Sequence, residues 1–569
     1  MKQNKLYTQI SWGALAIMAA MGTACSDDFF ETSSKTKLDS NTAYSNAATA
    51  EQSLIGCYNG LQRTLGDEGI GMYLTSEICS DECVAGAGVG DAKNYSILDD
   101  FDEACASGYT DLWQTDWKNY YKAIFRCNQL IVNENTIDWD GDEVAHKRII
   151  GEARGLRGLL YFDLVRLFGN VPLVLEPTED NEPQADPKDV YQAIFDDFKF
   201  AIENIPGDTY CAATSDATDG RMSRWAAEAL MARAYLFYTG YYGAEHPACT
   251  KSEAIAALED LIDNSGYDLE ENFADLWMPA CTKEAEGVSE GNYAWVSTYA
   301  GKYYDGTAWK AGQTGISKEF VFQIKCNTTQ DYDGNSGGNT FQVFLGTRNS
   351  CAAPFATGWG ICNPNPNFVS QIDGTRQTAS VVDHASNGFQ NQDDFNSCLS
   401  DSYEYTGYSI KKFAPLCFSD GMREAEAFAL GEKHMNITYY IDFPVVRFAD
   451  VLLMHSELTQ TATGLNRVQM RVGKSATGYS EEALRTERAQ ELAFEGIRYW
   501  DMLRYGVGGS YAAEQIAKMQ DGLAVKNAGV SANMTFNAQN FTSKKGLMQI
   551  PNTEITLSGN VLKQNSGWK

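Results

Sequence analysis

The sequence predicts a mostly α-helical protein, with a helical scaffold that carries an irregular, loop-rich part. Three observations predict it. Apolar side chains recur at three- and four-residue steps through 42–270, and the period returns after 443. Between them, 271–440 lose helical period and gain Gly, Asn, Tyr and Trp. Finally, ERAQELAFEGIRYWDMLRYG at 487–506 reads as one helix, with Leu492, Gly496, Tyr499, Trp500 and Leu503 on a single stripe.

The chain opens with an export signal. Lys2 and Lys5 precede an apolar stretch from Ile10 to Met21, and Gly22, Thr23 and Ala24 lead to Cys25. The stretch is too short and wrongly flanked for a transmembrane helix. Cys25 directly after small residues resembles a lipoprotein signal, with 1–24 removed, Cys25 acylated and 25–41 left as a tether. Gly22 departs from that pattern, which has a large aliphatic residue there. Two or more acyl chains hold a protein on a membrane without a spanning segment.

The scaffold, 42–270, is expected as successive helices. Residues 43–65 are amphipathic. Trp117, Tyr121, Ile124 and Asn128 share a stripe, as do Ala153, Leu156, Leu160, Leu164 and Leu167. Pro172 stops that second helix. Val190, Ile194, Phe198 and Ala201 carry the next, closed by Pro206. In 223–240, Ala226, Ala227, Ala229, Ala232 and Ala234 stand where helices must approach closely. Residues 252–269 add another. Alanine-rich helix pairs of this kind are similar to tetratricopeptide repeats.

In 271–440 only KEFVFQIK (318–325) alternates as a strand. Loops this long are usually functional. The C-terminal region, 441–569, is expected to pack on the scaffold. It opens with a helix at 443–460, where Ala449, Leu452, Leu453 and Ser456 share a face. In 487–506, charges fall one turn apart: Arg488 with Glu491, Glu495 with Arg498, Asp501 with Arg504. The last residues, from Gly546, read as extended and turn-like.

Composition narrows the function. A net charge of −30 makes nucleic acid an unsuitable partner. The chain has 30 Tyr against 27 Phe, as a wet, stacking surface requires. Fourteen Cys leave thirteen once Cys25 is acylated, so one at least is unpaired. Cys79 and Cys83 are close enough for a local bridge, and CSDEC lacks the second Cys/His pair that zinc needs. The five His form no metalloprotease motif. GAGVGD (86–91) has glycines but no Lys or helix start, so it is not a phosphate loop. Asp99-Asp100 and Asp393-Asp394 read as solvated loop charges rather than an acid/base pair. Asp331-Tyr332-Asp333-Gly334-Asn335 clusters oxygens and is the candidate for a structural Ca²⁺. No other cofactor is implied.

Several words, in this order, identify a family: LRGLLYFDLVRLFGNVPLV, DVYQAIFDDFKFAIENIP, RWAAEALMARAYLFYTG, FPVVRFADVLLMHSEL, LNRVQMRVG, ERAQELAFEGIRYWDMLRYG and IPNTEI…LKQNSGW. The chain resembles the SusD/RagB family of Bacteroidetes outer-membrane lipoproteins over essentially its whole length. Ser456-Glu457-Leu458 and Ser566 depart from it, in packing words. The resemblance implies a SusD-like α-helical fold with four tetratricopeptide-like helix pairs and a ligand-binding part within 271–440. It implies capture of glycan fragments for a SusC-like TonB-dependent transporter, with this protein as the lid and no catalytic residues. Ser26-Asp27-Asp28 after Cys25 look like the signal that sends such lipoproteins to the outer face of the outer membrane. The alternative is peptide capture by the same architecture, as in the RagB branch. Peptides would use backbone pairing and a less aromatic groove. A hydrolase would need a placed acid/base pair, which the sequence does not show.

A glycan site needs flat rings to stack on sugar faces, flanked by side chains that pair with hydroxyls. The richest cluster is 293–309, with Trp295, Tyr299, Tyr303, Tyr304 and Trp309 as candidate contacts. A second candidate is the loop after the first long helix, with Asp81, Asn94 and Tyr95. Trp359, before a helix start in ATGWGICNPNPNF, reads as structural though near the site, and is added to the candidates. Tyr403, Tyr405 and Tyr408 are weaker candidates. Trp113, Trp117, Trp225 and Trp500 lie on helical stripes and are expected in the core or facing the transporter.

Overall fold

Asn46 starts the first helix of the described residues, α1 (Ala47–Arg63), by accepting the Thr49 N–H while the Thr49 hydroxyl caps the Asn46 N–H in return. The structure is a computed structural model and describes residues 44–65, 69–91, 94–106, 111–207, 220–277, 317–326, 341–348, 355, 357–386, 392–414 and 441–569. After α2 (Gly71–Ile78), long helices follow: α3 (Gln114–Val132), α4 (Glu143–Phe168), α5 (Pro187–Asn204), α6 (Arg224–Tyr242) and α7 (Lys251–Asn264). Polar caps open four of them at Asp142, Asp186, Ser223 and Thr250. From α3 on, each packs against the next, and α1 packs against α3 and α4. The alanines of α6 are all buried, so α5, α7 and the C-terminal region can all close on it.

Five two-stranded ladders are present among the described residues. Strand β1 (Cys83–Ala85) pairs with β5 (Cys362–Pro364), and β2 (Phe320–Ile324) with β8 (Phe443–Arg447). Short β3 (Thr347–Arg348) runs parallel to β4 (Thr357–Gly358). Strands β6 (Val381–Asp383) and β7 (Tyr408–Ile410) pair, and β9 (Ala524–Asn527) and β10 (Val530–Asn533) form a hairpin. The strand expected at 318–325 is β2. The helix expected over 443–460 is shorter: 443–447 form β8, and α8 (Phe448–Thr459) begins only after Arg447. The ladder with β2 wins over helical period there.

The 487–506 stretch is a second correction. It is not one helix. After α9 (Thr463–Arg471), α10 (Glu481–Glu491) ends inside it and α11 (Arg498–Arg504) begins afresh. Phe494 and Gly496 between them have φ of 62° and 74°. At Gly496 a Cβ would stand 3.2 Å from Tyr73 and 3.3 Å from Phe443, so glycine serves both the turn and the close packing.

The break aims carboxylates inward. Buried Arg447 bonds Glu495 at 2.7 Å, Glu491 at 3.0 Å and also Glu319. Arg376, Arg471 and Lys412 join the same group through Glu487, Glu491, Glu319 and Glu495. Burial pushes the Glu491 carboxyl up, but Arg471, Arg376 and Arg447 outweigh it and hold it well below the usual range. Of the three helical pairs expected, only Asp501–Arg504 forms, at 2.9 Å. Arg488 bonds Asp501 and Asp450 instead, and Arg498 bonds Asp81.

One core cluster runs from Ala50 in α1 to Trp568. Trp113, Trp117, Trp225 and Trp500 lie within it, at most 4 % exposed. The C-terminal segment is extended and turned, apart from a short helix at Asn552–Leu557. Its Met548 N–H bonds the Leu167 carbonyl at the end of α4. Among the described residues no helix is long and apolar enough to cross a membrane.

Candidate surface ligand site

Trp359 is the one described tryptophan among the large apolar side chains left exposed, at 38 %. The backbone holds it there. Its N–H donates to the Val343 carbonyl at 2.7 Å, and its ring lies 5.3 Å from Phe344, tilted by 40°. Phe344 is buried, so one side of the indole rests on the core. Beneath, β3 and β4 approach so closely that a Cβ on Gly358 would stand 2.5 Å from the Gly346 Cα.

The loop 86–91 completes this surface. Ala87 N–H donates to Gly360 O at 2.5 Å, and Tyr403 N–H to Ala87 O at 2.9 Å. A Cβ on Gly86 would collide with Gly360 O at 2.1 Å. Gly86 is therefore explained by backbones crossing and Gly88 by the Arg348 side chain against it, while Gly90 borders open space. Arg348 spans the loop and its neighbour. Its Nη2 meets Asp91 at 3.0 Å and its Nε meets Asp401 at 2.9 Å. Asp91 is largely exposed, as is Val89 in part. An exposed ring, a partly exposed valine and a fixed guanidinium–carboxylate set thus stand on adjoining segments of the surface, with Gly360 lying against Arg348. Such a face can stack a flat apolar ligand surface and pair with hydroxyls at its edge.

The loop then reaches Asn94 and Tyr95, both half-buried, with Tyr95 packed against the core. Residues 96–100 turn into a short helix whose Asp99 accepts the Ala85 N–H at 2.9 Å. Asp99 is not a solvated loop charge, contrary to expectation. It is buried beside Glu404, which burial and then Asp100 push up to about 8. Burial, then Glu404, raise Asp99 itself.

Asp81 is a further correction. It is fully buried, and both its oxygens are taken by Arg498 at 2.8 Å, so it cannot meet a ligand. Tyr405 is also internal, its hydroxyl 2.9 Å from His384 Nδ1, while Tyr403 and Tyr408 are half-buried. Trp295, Tyr299, Tyr303, Tyr304 and Trp309 lie outside the described residues. So do Cys25 and the Asp331–Asn335 calcium candidate. Among the described residues no group of three or more His, Cys, Asp or Glu is placed to hold a metal. Cys79 and Cys83 do not bridge: both are free and buried, and the Cys79 thiol donates to the Leu98 carbonyl. Arg348 was missed by sequence reasoning, because nothing local to TRNS marks an arginine that reaches two distant aspartates.

Two family models match this chain, one described as "SusD family" over 293–568 and one as "Starch-binding associating with outer membrane" over 28–236. The chain belongs to the SusD/RagB family. It is 21 % identical to the SusD-like protein P25 of Formosa agariphila over 516 residues, covering 84 % of this chain and 87 % of that one. It is 29 % identical to a SusD-like protein of Bacteroides ovatus over 175 residues, a match that spans 28 % of this chain and 29 % of that protein. Its fold is that of a laminarin-binding SusD-like protein, with a TM-score of 0.66 at 23 % identity, over 92 % of this chain and 99 % of the other. The surface glycan-binding protein A of Bacteroides thetaiotaomicron, solved with laminarihexaose, is similar, with a TM-score of 0.67 at 18 % identity over 91 % and 99 % of the two chains.

Proposed function

We propose that this protein binds an oligo- or polysaccharide at the cell surface and delivers it to a SusC-like TonB-dependent transporter, acting as its lid. Acylated Cys25 anchors it to the outer membrane. The observation that carries the reading is Trp359, an exposed ring backed by Phe344, with the Arg348–Asp91–Asp401 set on the adjoining segments. Relatives whose names state laminarin or glycan binding support it. Asn94 and Tyr95 belong to the same loop as Asp91 and are proposed as lateral contacts. The stacked helices α1 and α3 to α7 are the tetratricopeptide-like scaffold for this face. The role is one of binding, not catalysis.

Calorimetric titration of the mature chain tests this, with laminarin, starch and other polysaccharides and a peptide mixture as control. Heat with one glycan class is the expected result. Heat with peptides alone would overturn the glycan reading.

A further inference from the structure

Two cysteines of the scaffold meet across the contact between α1 and α3. Bonds on either side of them fix the register of that contact. Asn119 Nδ2 bonds the Arg63 carbonyl at 3.2 Å, while Arg126 Nη1 bonds the Gly56 carbonyl at 2.9 Å and the Asn59 side chain at 3.0 Å. Between them the backbones all but touch. A Cβ on Gly60 would stand 2.9 Å from the Ala123 Cβ and 3.0 Å from its Cα. The two helices are therefore antiparallel, with Gly60 against Ala123. Residues three or four positions away share a helix face. One turn back from Gly60 is Cys57, and one turn on from Ala123 is Cys127. Both are fully buried free thiols, and their side chains hydrogen-bond each other. Cys57 also makes a long contact, 3.5 Å, to the Ser53 carbonyl within α1.

Once packed, this pair is shielded from outside thiols. The bond to Cys127, and then burial, hold the Cys57 thiol well above its usual range, so little thiolate is present to react. A bridge is made while α1 docks on α3, when the sulfurs already approach and oxidant still has access. Cys83 and Cys362 also contact each other, but on a different geometry. Strand register sets Cys83 opposite Pro364 and Cys362 opposite Ala85, so the two cysteines are diagonal neighbours. Such neighbours stand roughly 7–8 Å apart, beyond the separation of about 6.8 Å between Cα atoms that a disulfide spans.

We propose that Cys57 and Cys127 are joined by a disulfide in the exported protein, and that Cys83 and Cys362 stay reduced. The inference goes beyond ligand binding and rests on the export signal, because disulfides persist in oxidising compartments. The oxidant is a protein or small-molecule disulfide. One cysteine attacks it as the thiolate to give a mixed disulfide, and the other then displaces the remaining half. The two thiols give up two protons and two electrons, and the oxidant leaves as two thiols. The bridge closes a long loop of sequence and so restricts the unfolded chain. It also staples to α3 the helix nearest the lipid tether.

The test is peptide mapping by mass spectrometry on the protein extracted from membranes. The chain is unfolded directly into iodoacetamide and digested without reductant. A cross-linked pair joining the Cys57 and Cys127 peptides is expected, absent after reduction, with Cys83 and Cys362 alkylated. The mature chain refolded with oxidised glutathione should give the same map. In both preparations, dithiothreitol should lower the melting temperature more for the parent than for Cys57→Ala/Cys127→Ala. Alkylated Cys57 and Cys127 in both preparations overturn the pairing itself. A bridge formed only on refolding overturns the proposal through its export premise, which fractionation of Cys25→Ala reads separately.

Discussion

Arg498 holds Asp81 through two parallel bonds of 2.8 Å, joining segments 417 residues apart in sequence. The pair fastens the root of the 86–91 loop to α11 at the centre of the C-terminal region. Both partners are buried, so neither charge has water to fall back on. Asp81→Ala should therefore destabilise the protein by about 3–5 kcal/mol, because it leaves a guanidinium unpaired in the interior. Thermal unfolding measures this. The double variant Asp81→Ala/Arg498→Met should recover part of the loss.

Trp359→Ala removes the exposed ring without opening the core, since Phe344 beneath it stays in place. Stacking of flat rings on aromatics contributes about 1–3 kcal/mol, so glycan affinity should fall by that amount with little change in melting temperature. Calorimetry against the responding polysaccharide decides it. Unchanged affinity would move the site away from this face.

Much of the fold was legible because helical period survives burial. The α3 and α4 stripes, the alanine face of α6 and the buried tryptophans are all where their spacing implies. What was not legible depends on partners distant in sequence. Arg498 and Glu495 stand one turn apart in the sequence pattern, yet each turns to a partner elsewhere: Asp81 for one, Arg447 and Lys412 for the other. Spacing reports neighbours on a helix, but not that the helix breaks at 492–497 to bring Glu491 inward. The same limit applies to the site. Trp359 read from sequence as a structural ring near the site, and Arg348 became visible only when the fold brought Asp91 and Asp401 to it.

Stability should fall as pH rises from about 5 towards 8, the upper bound being the value to which Glu404 is raised. The sign follows from proton binding. The unfolded Glu404 ionises at its ordinary value, about 4.3, while the folded one keeps its proton until about 8. The folded state thus binds more protons in that window, and its advantage is complete below the window and lost through it. Glu404→Gln mimics the protonated form and should flatten this part of the melting-temperature profile. Glu491, Asp450 and Asp501 act oppositely: their folded carboxyls are held low, and their contribution is lost in acid.

Cys25→Ala should release the protein from membranes into the soluble fraction, because no described helix can span a bilayer. Fractionation with detergent extraction reads the outcome. A variant still anchored would overturn the lipoprotein reading.

Gly358→Ala probes how the Trp359 platform is made. A Cβ there would lie 2.5 Å from both the Gly346 Cα and the Val343 carbonyl oxygen. Both obstacles are backbone, so neither can swing aside as a side chain would. The β3–β4 contact must open, and with it the Val343 carbonyl that holds the Trp359 N–H. Glycan binding should weaken even though the substitution touches no ligand. The global melting temperature should move less than in Asp81→Ala, because β3 and β4 are two residues each and the change buries no unpaired charge. Gly374→Ala is the matched control: nothing lies within 4 Å of its new Cβ, and it should change neither property. If Gly358→Ala binds glycan like the parent protein, the platform tolerates a wider β3–β4 spacing, and the ring alone sets the affinity.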